Sequence, residues 1–277
     1  MVTNLSHSMA NFLKRLAYSR TGEPYHIANQ TLRYLPGTRP IRLRYVHSSN
    51  EINRYDALQV QLLSERLKDG DTAIDIGAHY GVFTVLMAAM CGSRGRVVAF
   101  EPDPYARAVL EKNLDLNPGL RRPVVESCAS SDSDGEATLF SRGGNSQSSL
   151  VRSAVEFASG QKTERIQVRL VTLDSYIAKH QLPMPSWVKI DTEGAEIRIL
   201  RGASNLLSSD AGIICELHPY AWSEFGNTFA ELKDFVAAHG RRMRYLDQKA
   251  PIGDVPKYGT VIPRRPSEPP VRNTLTL

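Results

Sequence analysis

The chain has 277 residues, 42% of them hydrophobic, which suits one large globular domain or a medium one with additions and allows a sizeable core. Its formal net charge of +5 is spread over scattered arginines and the Arg264, Arg265 and Arg272 segment, so no clustered basic surface argues for a nucleic-acid partner. No apolar run reaches the roughly 20 residues of a membrane span, residues 1–10 lack a secretory pattern, and Cys91, Cys128 and Cys215 lack zinc or disulfide spacing, so a cytoplasmic protein with buried thiols is expected.

Residues 1–55 read as an N-terminal extension covering the core, with an amphipathic stretch over 9–17 and strand-like alternation at Ile41, Leu43 and Tyr45. Leu58, Val60, Leu62 and Leu63 recur at near-helical spacing across 56–67, and Asp69-Gly70-Asp71 predicts a turn into the core. Short β-rich runs at 72–76, 96–100, 124–128, 187–190 and 212–217 then alternate with helical patterns at 82–90, 105–114, 195–200 and 229–238. That order predicts an α/β, doubly wound, Rossmann-like sheet with helices on both faces, spanning 56–262. The interval 130–186 reads as an insertion at the sheet's edge or above the active site, with a Gly/Ser-rich loop at 143–149 and a strand-like run at 166–171. Residues 263–277 hold too little apolar material to offset their ordering entropy and are predicted as a disordered tail.

The sharpest local motif is Asp75-Ile76-Gly77-Ala78-His79-Tyr80-Gly81, directly after a strand and before a helix, where doubly wound sheets bind ligands. Gly77 permits a tight turn and close backbone approach, and Gly81 lets the helix pack on its strand. Taken alone, the loop is equally compatible with a merely glycine-rich turn. Asp75 stands where a dinucleotide loop carries glycine, so a carboxylate would repel a pyrophosphate, which disfavours a nicotinamide cofactor. The ammonium and sulfonium of S-adenosylmethionine suit it better, with Ala78 and His79 lining the loop.

A second apolar strand ends in Glu101-Pro102-Asp103, and an acid there accepts hydrogen bonds from ribose hydroxyls, so Glu101 is the ribose candidate. Beside it, Pro102 and Asp103 border the same site; Asp103 either faces the adenine or caps the next helix. Ala129, in Cys128-Ala129-Ser130, lets an adenine ring approach the backbone, while Cys128 reads as a small core residue.

These residues resemble the FkbM-type methyltransferases, a family of S-adenosylmethionine enzymes. The resemblance runs from about Asp56 to Pro219 and rests on the Asp75 loop, Ala99-Phe-Glu-Pro-Asp-Pro104, Leu114 to Asn117, Val171-Thr-Leu-Asp174, Lys189-Ile-Asp-Thr-Glu-Gly-Ala-Glu196, Leu200-Arg-Gly-Ala203 and Glu216-Leu-His-Pro219. His79 and Thr192 depart from the usual form, which carries Asn and Val there. The resemblance implies O-methylation of a hydroxyl on a sugar, glycan or small natural product.

Methyl transfer to a hydroxyl needs in-line positioning and removal of a proton. Alternation in the fourth strand turns Lys189 and Asp191 to one side; Asp191 and Glu193 are the nearest acids, and Asp191 can equally hold the cofactor's amino group. Lys189 is a base if burial lowers its pKa, a stabiliser of an alkoxide, or simply an ion-pair partner. Glu196 reads as a first-turn acid of the next helix. In the fifth strand Glu216 and His218 share a face, and His218 is the general-base candidate. Asp191, Glu216 and His218 could also hold Mg²⁺, or act as a metal-free acid–base group. The alternatives are a catalytically silent cofactor-binding or scaffold protein of the same fold and an N-methyltransferase; a nucleic-acid methyltransferase lacks its N-P-P-Y-like motif here.

Overall fold

The computed structural model describes residues 18–27, 30–36, 38, 51–143, 148–150, 163–246, 252–253 and 259–264. The predicted amphipathic stretch at 9–17 and the alternation at Ile41, Leu43 and Tyr45 lie outside them.

Apolar β-branched runs build the centre of the molecule. β3 (Thr72–Ile76) and β10 (Gly212–Leu217) are buried at every position, as expected of strands covered on both faces. With β4 (Arg96–Phe100), β5 (Val124–Glu126) and β9 (Trp187–Ile190) they form a parallel array. Two further strands, β11 (Arg242–Tyr245) and β12 (Gly259–Arg264), complete a seven-stranded sheet of order β11-β12-β10-β9-β3-β4-β5. The order reverses between β3 and β9, so the crevice outside their carboxyl ends is the ligand-binding position of such a sheet.

Helices α1 (Glu51–Arg66), α2 (Val82–Cys91), α3 (Pro104–Asp115), α5 (Glu196–Arg201) and α7 (Phe229–Ala238) follow the predicted alternation, and the short α4 (Leu173–Lys179) and α6 (Ser204–Ser208) are additions to it. α7 starts with a capping box in which Thr228 and Glu231 satisfy each other's backbone N–H groups, which marks its first turn. Ile74, Ile76, Val188, Ile190, Ile213 and Leu217 form one side of the core with the helix residues Leu200, Leu206 and Leu232.

Three features depart from the expectation. The third strand stops at Glu126, and Ala129 and Ser130 form β6, which joins β7 (Gly135–Ser141) and β8 (Glu164–Val171) in a separate three-stranded sheet. The insertion therefore carries its own small apolar cluster of Ala129, Leu139, Val168 and Leu170.

The second departure is an N-terminal hairpin, β1 (Glu23–Ile27) with β2 (Gln30–Tyr34), whose alternate residues Tyr25, Ile27, Leu32 and Tyr34 pack against Val85, Leu86 and Leu110 of α2 and α3. Asn113 ties it to the glycine loop: its Oδ1 accepts from the N–H of Leu35 at 2.8 Å and its Nδ2 donates to the carbonyl of Tyr80 at 2.7 Å.

Third, Pro263 and Arg264 are not tail but the end of β12, paired with Met243 and Arg242 of β11. Pro263 is tolerated because the ladder to β10 covers only residues 259–261 of β12, so its missing N–H falls beyond that pairing. Residues 265–277 lie outside the described ones. Among the described residues no helix is long and apolar enough to cross a membrane.

Candidate active site

The loop after β3 is shaped by two glycines with positive φ. Gly77, at φ +77°, sits so close to the next strand that a Cβ would lie 1.8 Å from the carbonyl oxygen of Asp191. Its N–H and that of Ala78 donate to the carbonyl of Phe100 at 3.0 and 3.1 Å, which seats the turn between β4 and β9. Gly81 has another reason than predicted: a Cβ there would meet Leu110 at 2.7 Å, so this glycine lets the start of α2 approach α3 rather than its own strand. His79 holds a positive φ of 50°, and its ring stacks on Tyr80 with centroids 3.7 Å apart. Ala78 is buried against the hairpin and α2.

Glu101 lies beneath this loop. One carboxylate oxygen accepts the N–H of His79 at 2.6 Å and the other that of Asp103 at 2.9 Å, leaving each oxygen a further acceptor position. Burial pushes its carboxyl up to about 7, with the two backbone N–H bonds only partly opposing. The alternative left open for Asp103 resolves as a cap: it accepts from the N–H of Tyr105 at 2.8 Å and of Ala106 at 3.4 Å. Its other oxygen accepts from Ser141 at 2.6 Å and from Ser148. Pro102 contributes its carbonyl to Arg107 at 3.2 Å. The methyl of Ala129 packs in the apolar cluster of the small sheet.

Asp75 is fully buried rather than at the loop mouth. Its Oδ2 accepts from Thr84 of α2 at 2.6 Å, whereas Oδ1 is buried with no hydrogen-bond partner among the described residues. Burial raises its pKa against the opposing pull of Lys189, its register partner on β9.

Lys189 is likewise buried, with its Nζ 3.0 Å from Asp191 Oδ2 and 4.7 Å from the centroid of Phe83. Burial alone would lower its pKa, but the charges of Asp191, Asp75 and Glu216 reverse this and raise it. Lys189 is therefore a fixed ammonium, and the expectation that it serves as a base is corrected. Asp191 is the most open member, its side chain 32% exposed, and Lys189 and His218 lower its pKa against burial.

The densest polar contacts surround His218. Its Nδ1 lies 2.9 Å from Glu196 Oε1, and because a carboxylate only accepts, Nδ1 carries the hydrogen. Nε2 then faces Glu193 Oε2 at 3.7 Å and Asp191 Oδ1 at 3.9 Å. Burial pulls the imidazole's pKa down, but the Glu196 hydrogen bond and the charges of Glu196, Glu193 and Asp191 push it up to about 10. Glu193, at a positive φ of 52°, accepts from the Tyr220 hydroxyl, and burial raises its pKa. Its carbonyl accepts from Ser149 at 2.9 Å, so residues 148–150 of the insertion reach the Asp103 side through Ser148 and the Glu193 side through Ser149.

Asp191, Glu216 and His218 each offer an atom within 4.8 Å of the others. They do not fit Mg²⁺: the ion demands near-octahedral oxygen ligands, whereas this set includes an imidazole and already holds the Lys189 ammonium against Asp191. The Mg²⁺ expectation is withdrawn on that chemistry.

Sequence reasoning missed Glu196, Trp222 and Tyr220 as site residues. Glu196 was legible as a helix-start acid, but its contact with His218, 22 residues on, comes from the adjacency of β9 and β10.

Comparison with known proteins follows the same segment. The family model described as the Methyltransferase FkbM domain matches residues 75–243. The hexuronic acid methyltransferase AglP of Haloferax volcanii is 29% identical over 161 residues, 57% of this chain and 61% of that protein. Methyltransferase 1 of Beauveria bassiana is 25% identical, over 48% of this chain and 59% of its own length. The chain thus spans about three fifths of the curated relatives it matches. A solved methyltransferase FkbM from Methylobacillus flagellatus KT aligns with 71% of this chain and 44% of its own, at 16% identity and a TM-score of 0.47.

Proposed function

The chain belongs to the FkbM methyltransferase domain family, and we propose that it transfers a methyl group from S-adenosylmethionine to a hydroxyl of a sugar, glycan or small molecule. The observation that carries this reading is the convergence, at the carboxyl ends of β3, β4, β9 and β10, of a glycine loop over Glu101 with the Asp191, Glu193 and His218 group. The hexuronic acid acceptor named for AglP supports a sugar.

The residues fit the cofactor. Gly77 holds the backbone where no side chain fits, and Glu101 keeps an acceptor position on each oxygen for a ribose diol. Asp75 Oδ1 is a buried acceptor that an ammonium group satisfies through a bridging water. When bound, S-adenosylmethionine supplies an electrophilic methyl group on a sulfonium. Asp191 and Glu193 orient the acceptor hydroxyl, and His218 Nε2 takes its proton. Tyr220, 54% exposed beside Glu193, offers a ring face to a sugar.

Because His218 is pushed up to about 10, its base form accumulates only as pH rises, so the rate climbs from neutral into the alkaline range. Methyl transfer from labelled S-adenosylmethionine to hexose and hexuronic acid acceptors, followed from pH 6 to 10, tests this; a rate independent of pH removes His218 from the role. Added EDTA leaves the rate unchanged.

Calorimetric titration with S-adenosylhomocysteine and with NAD separates the cofactors, and only the former is expected to bind. Its affinity rises as Glu101 loses its proton near pH 7, since ribose hydroxyls donate to a carboxylate, and Glu101→Gln flattens this dependence while weakening binding about 10-fold or more. A Glu101→Gln protein with wild-type affinity at every pH would remove Glu101 from the ribose site.

A further inference from the structure

We propose that Glu196 is the positioning residue of the acceptor side, acting through His218 and not on the substrate itself; the inference rests on the methyl-transfer reading above. Glu196 is fully buried, and both its oxygens are engaged. Oε1 accepts from His218 Nδ1 at 2.9 Å and from the Gly194 N–H at 2.8 Å, while Oε2 accepts from the Trp222 indole at 2.7 Å.

Each bond does a separate job. The bond to Nδ1 selects the tautomer in which Nε2 carries the lone pair once the imidazole is neutral. The bond to Gly194, at φ +116°, pins a turn that holds Glu193 in its positive-φ conformation. A Cβ on Gly194 would lie 2.4 Å from that of Ala221, so the turn is also clamped from the following segment. The indole bond removes the last freedom of the carboxylate. This is the carboxylate–imidazole arrangement in which the acid orients and stabilises the imidazolium without taking the proton.

The groups that face His218 are Glu196 from α5, Asp191 and Glu193 from the turn after β9, and Tyr220, whose ring centroid lies 5.9 Å from the imidazole's. Glu216 also offers an oxygen within 4.8 Å of a His218 ring nitrogen, and Lys189 stands behind, paired with Asp191. Glu196 lies 2.9 Å from Nδ1, so its replacement changes tautomer and charge together.

Glu196→Gln tests the assignment. The neutral amide loses the charge that holds the imidazolium, and whichever way it turns one bond fails: its NH2 meets the Trp222 indole N–H or, flipped toward Nδ1, opposes the Gly194 N–H. We expect kcat to fall roughly 100-fold or more, KM for the cofactor to stay within about 2-fold, and the His218 imidazole, followed by NMR, to titrate at least about one unit lower. In a His218→Ala background the same change should cost much less, since only the Gly194 bond that holds Glu193 is then left for Glu196 to supply. Equal losses in both backgrounds, or an unmoved His218 titration, overturn the proposal. Should Glu196→Gln fail to fold, Trp222→Phe keeps the carboxylate and removes one bond; an unchanged titration and rate there overturn it as well. The NMR titration needs no turnover, so it stands apart from the methyl-transfer reading, which fails instead if the wild-type protein does not bind S-adenosylhomocysteine.

Discussion

Gly77→Ala will lose S-adenosylhomocysteine binding by 100-fold or more and destabilise the fold by roughly 2–4 kcal/mol. Two costs combine. The backbone stands at φ +77°, where an L-residue pays about 1–2 kcal/mol, and the new methyl would sit 1.8 Å from the Asp191 carbonyl oxygen and 2.8 Å from its carbon. Backbone cannot swing aside as a side chain can, so either the loop or the Asp191 strand end must shift. The N–H of Asp191 is bonded to the carbonyl of Ile76 at 3.0 Å and its carboxylate to Lys189 at 3.0 Å, so a shift disturbs both halves of the site. Gly70→Ala is the control: it shares a positive φ, +98°, but among the described residues beyond its chain neighbours no atom lies within 4 Å of its new methyl, so it pays the strain alone, about 1 kcal/mol. Calorimetry and urea denaturation of both variants read the two effects, and a Gly77→Ala protein that binds as well as Gly70→Ala would show that the loop yields freely.

The second large effect is expected at Arg241. Its guanidinium is buried and donates to the carbonyls of Leu207 at 2.6 Å, Ser209 at 2.6 Å, Ala211 at 2.9 Å and Pro263 at 3.0 Å. It thereby staples the end of β12 to the turn that follows α6. Arg241→Met fills similar volume but leaves these acceptors short of a donor, and a loss of roughly 3–5 kcal/mol follows. Arg241→Lys keeps the charge without the planar fork and should fall between the two. Urea midpoints at constant m-value measure this; a change under about 1 kcal/mol for Arg241→Met would mean that water replaces the guanidinium.

How much of this was legible in the chain depended on the range of the interaction. The runs at 72–76, 96–100, 187–190 and 212–217 became strands with those bounds, because buried parallel strands need continuous apolar residues and neighbouring turns end them locally. Glu101 was readable for the same reason, as a strand-end acid at a ligand-binding crevice. The hairpin at 23–34 carries alternation at Tyr25, Ile27, Leu32 and Tyr34 that a period-two reading could have found. Pro263 and Arg264 read as tail because proline and arginine are poor in apolar contact; what orders them is the β11 partner and the Arg241 guanidinium.

Lys189 shows the limit most clearly. Burial predicts a lowered pKa, and only the placement of Asp75 opposite it on β3 and of Asp191 two residues on makes it a fixed cation. Charge–charge energy depends on separation in space, which residue spacing does not encode.

The sequence by itself determined the sheet's alternation, the strand-to-helix loop and the family, since these follow from local hydrophobic period, glycine placement and motif order. Tertiary structure alone decided which acid holds His218, which residue caps α3 and where Asp75 lies, because each depends on contacts between elements that only packing brings together.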